Sequence, residues 1–316
     1  MLVHSADAPV LAMPRPDQRY GTTRKVKNMK IGIGLPTTIP GARPALILDW
    51  ARRADAGPFS SLGIVDRVVY PNYESLISLA AAAGATKRIR LMTTILLAPL
   101  RNPALLAKQA ATLDALSGGR LTLGLGVGAR EDDFRAANAA YQKRGRTFEK
   151  QLETMKHIWS GKPLDDKIGA IGPAPVRQGG PELLIGGYSP AALKRIARWA
   201  DGYISGGQAD PTRVADTYKI IEAEWKAEGR SGKPRLVGAV YGALGTHAAE
   251  KSAPYIRSYY GFIGPRVEDM VKHLPVTPEA LKNVIKGFID IGMDELVLWP
   301  CIAELEQVDR LAELVA

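Results

Sequence analysis

Three short stretches of this sequence hold the residues best suited to chemistry. In Leu183-Leu184-Ile185-Gly186-Gly187-Tyr188-Ser189-Pro190 an apolar strand ends in two glycines, and Ser189 and Pro190 then occupy the cap and first position of a helix. Glycine lets a backbone approach a ligand closely, and a helix start offers unpaired N–H groups at the positive end of its dipole, so an anion such as a phosphate suits Gly186, Gly187, Tyr188 and Ser189. An ordinary βα turn before a well-capped helix reads the same way. The usual barrel phosphate site follows strands seven and eight, whereas this one follows the fifth. The second stretch, Gly124-Leu125-Gly126-Val127-Gly128, lacks the dinucleotide spacing and is followed by no Walker lysine. Its alternating glycines either leave room at the end of a strand or let that strand pack tightly on its neighbours. Just beyond, Glu131, Asp132 and Asp133 offer carboxylates for a substrate or a proton transfer, or simply form an acidic helix start. The third is Asp66-Arg67 at the end of an apolar strand, placed for catalysis or for a structural ion pair at a rim. His4, His157, His247 and His273 have no ligand spacing, so no metal site is expected.

The elements that must position these residues recur regularly. Strands begin near Ile31, Leu62, Ile89 and Leu121, about 30 residues apart, the length of a βα unit. Helices are expected over 42–56, 74–85 and 103–116, the last opened by Asn102-Pro103 and stopped by Ser117-Gly118-Gly119. A helix from Thr147 to Trp159 precedes strands at Glu182–Ile185, Gly202–Ser205, Arg235–Leu244 and Glu295–Trp299, with helices at 190–200, 211–228, 278–291 and 304–315. Eight strands, nearly all followed by helices, predict an α/β fold, a closed (β/α)8 TIM barrel with insertions after strands 4 and 7, over a doubly wound sheet, since no Rossmann fingerprint opens the first turn. Loops after strands emerge on the carboxyl face, so both insertions are expected to act as lids. Tyr255, Tyr259, Tyr260, Phe262 and Pro265 in the second would cover a hydrophobic ligand or pack the insertion onto the barrel.

Composition narrows the class. The chain has 316 residues, 46% of them apolar and 23% charged, within the range of folded globular proteins. Its one cysteine, Cys301, allows no intramolecular disulfide and fits a reducing compartment such as the cytoplasm. No apolar run is long enough to span a bilayer. The net charge of +10 is concentrated at the start, where residues 1–30 hold six Lys and Arg against two Asp. No basic helix interleaved with aromatics follows, which argues against nucleic acid. Residues 1–28 read as a loosely ordered extension, with a basic transit peptide as the alternative, and Met29 opens a single domain over 29–316.

The run from Asn102 to Asp114, continued by Leu116-Ser117-Gly118-Gly119-Arg120 and Leu123 to Gly128, resembles the most specific signature of the luciferase-like flavin oxidoreductases. Gly186 to Leu193 with Ala200-Asp201-Gly202 resembles a second one. The resemblance implies reduced FMN with dioxygen, or the 5-deazaflavin coenzyme F420 used for hydride transfer, acting on a small organic substrate. It places a bulge with a non-proline cis peptide at Thr94-Ile95 behind the cofactor ring, Gly128 beside it, and the phosphate against Gly186, Gly187 and Ser189. Asp66 matches an acidic ring-side position and Glu131 a proton-donating carboxylate of some deazaflavin members. Arg67 departs from the family, which often carries a catalytic histidine there; a guanidinium cannot shuttle protons near neutral pH but can hold an anion. The run Val127 to Phe134 is more similar to the deazaflavin-using branch. A separate flavin reductase and a homodimer are further expectations. Two other functions stay open: a flavin-binding protein without turnover, and a barrel enzyme for a phosphorylated metabolite.

Overall fold

The computed structural model describes residues 29–207 and 210–316, so the expected extension over 1–28 lies outside the described residues. Nine parallel strands form the sheet: β1 (Lys30–Gly34), β2 (Ser61–Ile64), β3 (Arg90–Thr93), β4 (Leu96–Leu97), β5 (Leu121–Gly126), β6 (Glu182–Ile185), β7 (Gly202–Ile204), β8 (Arg235–Gly242) and β9 (Glu295–Pro300). β1 pairs with both β2 and β9, and β3 pairs with β5 through Leu91 opposite Leu121, so the ring closes. β3 and β4 are two halves of one stave broken at Thr94-Ile95, which leaves eight staves and a (β/α)8 barrel. The apolar pattern alone reads as one strand there, and the break falls where the family resemblance places a bulge. The break comes from side chains: Thr93 Oγ1 donates to Gly124 O (2.7 Å) and accepts from Gly124 N (2.8 Å), taking the place of ladder bonds with β5.

The strands are buried on both faces, β5 along all six residues, as a parallel barrel covered by helices requires. Outside, the helices follow their caps. Asn102 accepts from Ala104 N and Leu105 N ahead of the helix Pro103–Leu116, and Ser189 accepts from Ala192 N ahead of Pro190–Trp199. Trp50, Phe59, Phe148, Tyr203 and Phe288 fill the layer between helices and staves. A second cluster, including Met92, Leu184, Val237, Tyr241 and Trp299, fills the barrel and continues to its carboxyl mouth.

At the amino end the barrel is closed by charge. Glu295, fully buried, accepts from Ser60 Oγ (2.5 Å) and Ser61 Oγ (2.6 Å) and pairs with Arg235, which also pairs with Glu182. Glu182 takes Thr122 Oγ1 at 2.7 Å and lies 3.4 Å from Arg90. Every ionised group in this layer meets a partner, the condition for burying charge.

The insertions divide differently from expectation. After β5, residues 127–143 stay at the mouth and include a short helix, Glu131–Ala136. Residues 160–181 follow the helix Arg144–Trp159 and return to the amino side, where Val176 N donates to Asp114 and Lys108 reaches Gly172 O. That half of the first insertion is no lid, because a segment entering a strand starts from the opposite end of the barrel. The second insertion forms the helices Ala248–Tyr260 and Arg266–Lys272.

Candidate functional site

A cavity of about 310 Å³ opens at the carboxyl end of the barrel. Of the residues singled out from the sequence, Asp66, Arg67, Thr94, Ile95 and Gly128 line it. The Thr94-Ile95 peptide is cis. Ile95 explains Gly126 and borders Gly186. A Cβ on Gly126 would stand 2.0 Å from Ile95 Cδ1, and one on Gly186 would stand 3.4 Å from the same atom. A Cβ on Gly124 would meet Thr93 O at 2.0 Å. Tight packing of the broken stave, rather than empty space at the mouth, therefore accounts for Gly124 and Gly126. Gly128 has φ +78°, a backbone state that favours glycine.

Asp66 is buried and fully engaged. Its Oδ2 accepts from Leu97 N (2.9 Å) and Arg101 Nη1 (2.7 Å), and its Oδ1 from Arg101 Nη2 and Ser75 Oγ, both at 3.1 Å. Its ionic partner is thus Arg101, not the neighbouring Arg67, because the break in the third stave turns Leu97 and Arg101 back toward the end of β2. The Asp66 carboxylate holds Arg101 more firmly protonated, against the burial that opposes it. Arg67 turns the other way, donating to Tyr259 O (3.1 Å) and Val69 O (2.8 Å). Glu131 stands apart: it opens its helix, is exposed and does not line the cavity. Asp133, two residues on and so on the opposite side of the helix, is buried against the cavity wall and accepts from Val68 N (3.0 Å) and Val69 N (2.7 Å). Helical periodicity separates the two carboxylates.

Gly186 to Ser189 lie beside this cavity rather than in its wall. Gly187 has φ +148°, and a Cβ on it would stand 2.7 Å from the Ala192 Cβ, so the first turn of the helix also requires this glycine. No partner for the backbone N–H of Gly187, Tyr188 or Ser189 occurs among the described residues. Tyr188 OH accepts from Gly206 N (2.9 Å), and Gly206 lines the cavity. A second, larger cavity of about 650 Å³ shares Gly207 and Tyr241 with the first and reaches Arg213. The Arg213 guanidinium sits 5.7 Å from the Tyr188 ring centre. The helix start at Ser189 is thus tied to the cavity wall through Tyr188 and Gly206.

The roof is aromatic. Tyr259, Tyr260 and Phe262 of the second insertion line the cavity with Tyr241 and Trp299 of the barrel. Tyr260 OH donates to Tyr241 OH at 3.0 Å, and Tyr255 OH lies 2.7 Å from Thr38 Oγ1. Burial pushes the Tyr260 hydroxyl up to about 12 and raises Tyr241, Tyr255 and Tyr259 as well, so all four stay neutral near pH 7. Trp299 fits because a Cβ on Gly34 would stand 2.4 Å from its ring. Its Nε1 is buried with no acceptor, as are Arg67 Nε and Arg130 Nε, all on residues lining the cavity. Sequence reasoning passed over Arg101, Arg130, Tyr241 and Trp299. The glycines at 34 and 63, inside strands, were a usable sign that something large crosses the barrel.

Among known proteins, the family model described as luciferase-like monooxygenase matches residues 29–286. The chain belongs to the luciferase-like monooxygenase family. Within it, the uncharacterized protein Rv0940c of Mycobacterium tuberculosis is 32% identical over 193 residues, 52% of this chain and 66% of that protein. The match therefore spans just under two thirds of that relative's length. Two solved structures share the fold at 20% identity. The monooxygenase RslO1 from Streptomyces bottropensis superposes with a TM-score of 0.77 over 90% of this chain and 97% of its own. An F420-dependent secondary alcohol dehydrogenase in complex with an F420-acetone adduct does so with 0.74 over 90% and 98%. This luciferase-like chain thus keeps its family's barrel. Among its described residues, no group of three or more His, Cys, Asp or Glu could hold a metal ion, and no helix is long and apolar enough to cross a membrane.

Proposed function

We propose that this chain is an oxidoreductase that takes the ring of a reduced flavin, FMN or the deazaflavin F420, into the smaller cavity, with its phosphate toward Gly186 to Ser189, and acts on a small organic substrate beneath the aromatic roof. The observation that carries this reading is the pairing of a ring-sized space lined by Gly206 with a nearby helix start whose N–H groups are free, the two tied together by Tyr188 OH on Gly206 N. Buried donors on its walls without acceptors fit a ring whose edge carries carbonyl oxygens. When bound, such a cofactor supplies a hydride or, as reduced FMN with dioxygen, an oxygen atom. The run Val127 to Phe134 favours F420; with FMN, a separate reductase would supply the reduced form.

The chain's own groups have separable tasks. Thr94, Ile95 and Gly128 shape the surface under the ring, and Asp66 fixes that surface through Leu97 and Arg101. Tyr241 OH accepts the Tyr260 proton and keeps its own to donate to a substrate oxygen, while the aromatic roof excludes water. A second copy of the chain is the expected cover for the exposed Ile77, Leu105 and Leu116 on the helices Ser75–Ala85 and Pro103–Leu116.

Side-by-side fluorescence titration with FMN, F420 and phosphate-free riboflavin tests the reading. Ser189→Asp is the informative variant, since aspartate preserves the helix cap while repelling a phosphate. Expected are binding of at least one phosphorylated cofactor, weaker binding of riboflavin, and a loss of at least about tenfold in Ser189→Asp, roughly 1.4 kcal/mol. If neither FMN nor F420 binds, the reading fails, and binding of a sugar phosphate instead points to a phosphorylated metabolite. The engagement of both Asp66 and Arg67 favours a second reading, a flavin-binding protein without turnover. It is excluded by turnover with any reductant and substrate pair.

A further inference from the structure

We propose that Arg67 is a positioning residue that clasps the second insertion shut over the cavity, in place of any part in proton transfer. One guanidinium meets its own loop and two segments distant in sequence. Its Nη1 donates to Tyr259 O at 3.1 Å, a carbonyl in the last turn of the helix Ala248–Tyr260 that has no partner within that helix. Its Nη2 donates to Val69 O at 2.8 Å in the loop after β2. Its Nε faces Asp133 Oδ2 of the first insertion at 3.9 Å. Its Cζ lies 4.7 Å from the ring centre of Tyr70 and 5.2 Å from that of Tyr259, and only 6% of the side chain is exposed.

Arg130 completes the arrangement from the other side. Its Nε lies 3.7 Å from the same Asp133 oxygen, and its guanidinium sits 4.8 Å from the ring centre of Phe262, the residue just past the helix. Asp133 Oδ1 meanwhile ties down the backbone of Val68 and Val69. Two arginines thus converge on one carboxylate and hold the end of the lid, Arg67 by a carbonyl and Arg130 by a ring. The start of the lid is held separately, by Tyr255 on Thr38 and by Lys251 on Glu304. Loss of Arg67 therefore loosens the 259–264 end, which covers the cavity and keeps the contacts of Tyr260 with Tyr241 and of Phe262 with Arg130, and leaves the other end attached. A lysine does not replace it fully, because a single ammonium does not reproduce the fork that reaches two carbonyls while packing beside two rings.

Hydrogen–deuterium exchange on the full chain tests this without any cofactor, using Arg67→Met and Arg67→Lys, with Phe262→Ala as a milder break of the Arg130 contact should Arg67→Met fail to fold. Expected is exchange over 259–264 at least about tenfold faster in Arg67→Met, an intermediate rate in Arg67→Lys, and an unchanged rate in the helix Pro103–Leu116. Wild-type exchange over 259–264 in Arg67→Met overturns the clasp. So does equal acceleration in 103–116, which would show Arg67 holding the fold as a whole. With FMN as the probe in stopped flow, Arg67→Met should quicken both association and dissociation. Failure of FMN to bind the wild-type chain bears on the cofactor reading above, and the exchange measurement decides the clasp by itself.

Discussion

The two ends of this barrel are built from similar materials and treat charge in opposite ways. At the amino end, Glu295, Arg235, Glu182 and Arg90 interlock with serine and threonine hydroxyls until each ionised group has a close partner. At the carboxyl end, Arg67 Nε, Arg130 Nε, Asp133 Oδ2 and Trp299 Nε1 are buried and stop short of any hydrogen bond. A satisfied layer contributes a unique, closed structure; an unsatisfied one is a cost that persists where a ligand or a moving segment completes it. The difference teaches which end is scaffold and which is site without reference to any relative.

The largest expected effect attacks the closed end. Arg235→Met strips Glu295 of its ionic partner inside the barrel and should cost about 3–5 kcal/mol in urea denaturation while leaving cofactor affinity of the folded fraction unchanged. A loss under about 1 kcal/mol would mean the network is not what seals that end. Next is the open end: Gly126→Ala drives a methyl into Ile95 and should weaken cofactor binding at least about tenfold, near 1.4 kcal/mol. Adding Ile95→Ala in the same chain should restore part of it, and strict additivity in that double-mutant cycle would separate the two residues.

A smaller effect comes from pH. The roof tyrosines keep their protons in the folded state above the usual value of 10, Tyr260 up to about 12, whereas the unfolded chain releases them near 10. Their contribution is intact below pH 10 and is lost as pH climbs toward 12. Tyr260→Phe should therefore show a shallower fall in Tm between pH 10 and 11 than wild type, and identical slopes would remove the roof from the account. The smallest effect is expected at Glu131→Gln, where turnover should stay within about twofold because the carboxylate is exposed outside the cavity. A tenfold fall would instead carry the site out to the rim.

The barrel was largely legible in the sequence because strand spacing and helix caps are local signals. Asn102-Pro103 and Ser189-Pro190 start helices where expected, and seven of the eight staves run unbroken close to their expected positions. The helix Ala248–Tyr260 was missed, as Pro254 interrupts its pattern and its aromatic residues read equally as a loop packed on the barrel. In the site, position was easier to read than partnership. Asp66 and Arg67 both reach the mouth, yet one turns to Arg101 and the other to Tyr259, choices set by the broken third stave and by a helix almost two hundred residues away. The acidic run 131–133 shows the same limit: which carboxylate meets the cavity wall depends on where the short helix starts.

Ile95 lies over Gly126 and Gly186 together, and that contact constrains the history of the chain as much as its shape. A larger residue at 126 forces the side chain at 95 to move or shrink, so a change at one is expected to be accompanied by a change at the other. Positions 95 and 126 should therefore vary together, and an engineer who wants a different cavity floor does best to exchange both in one step.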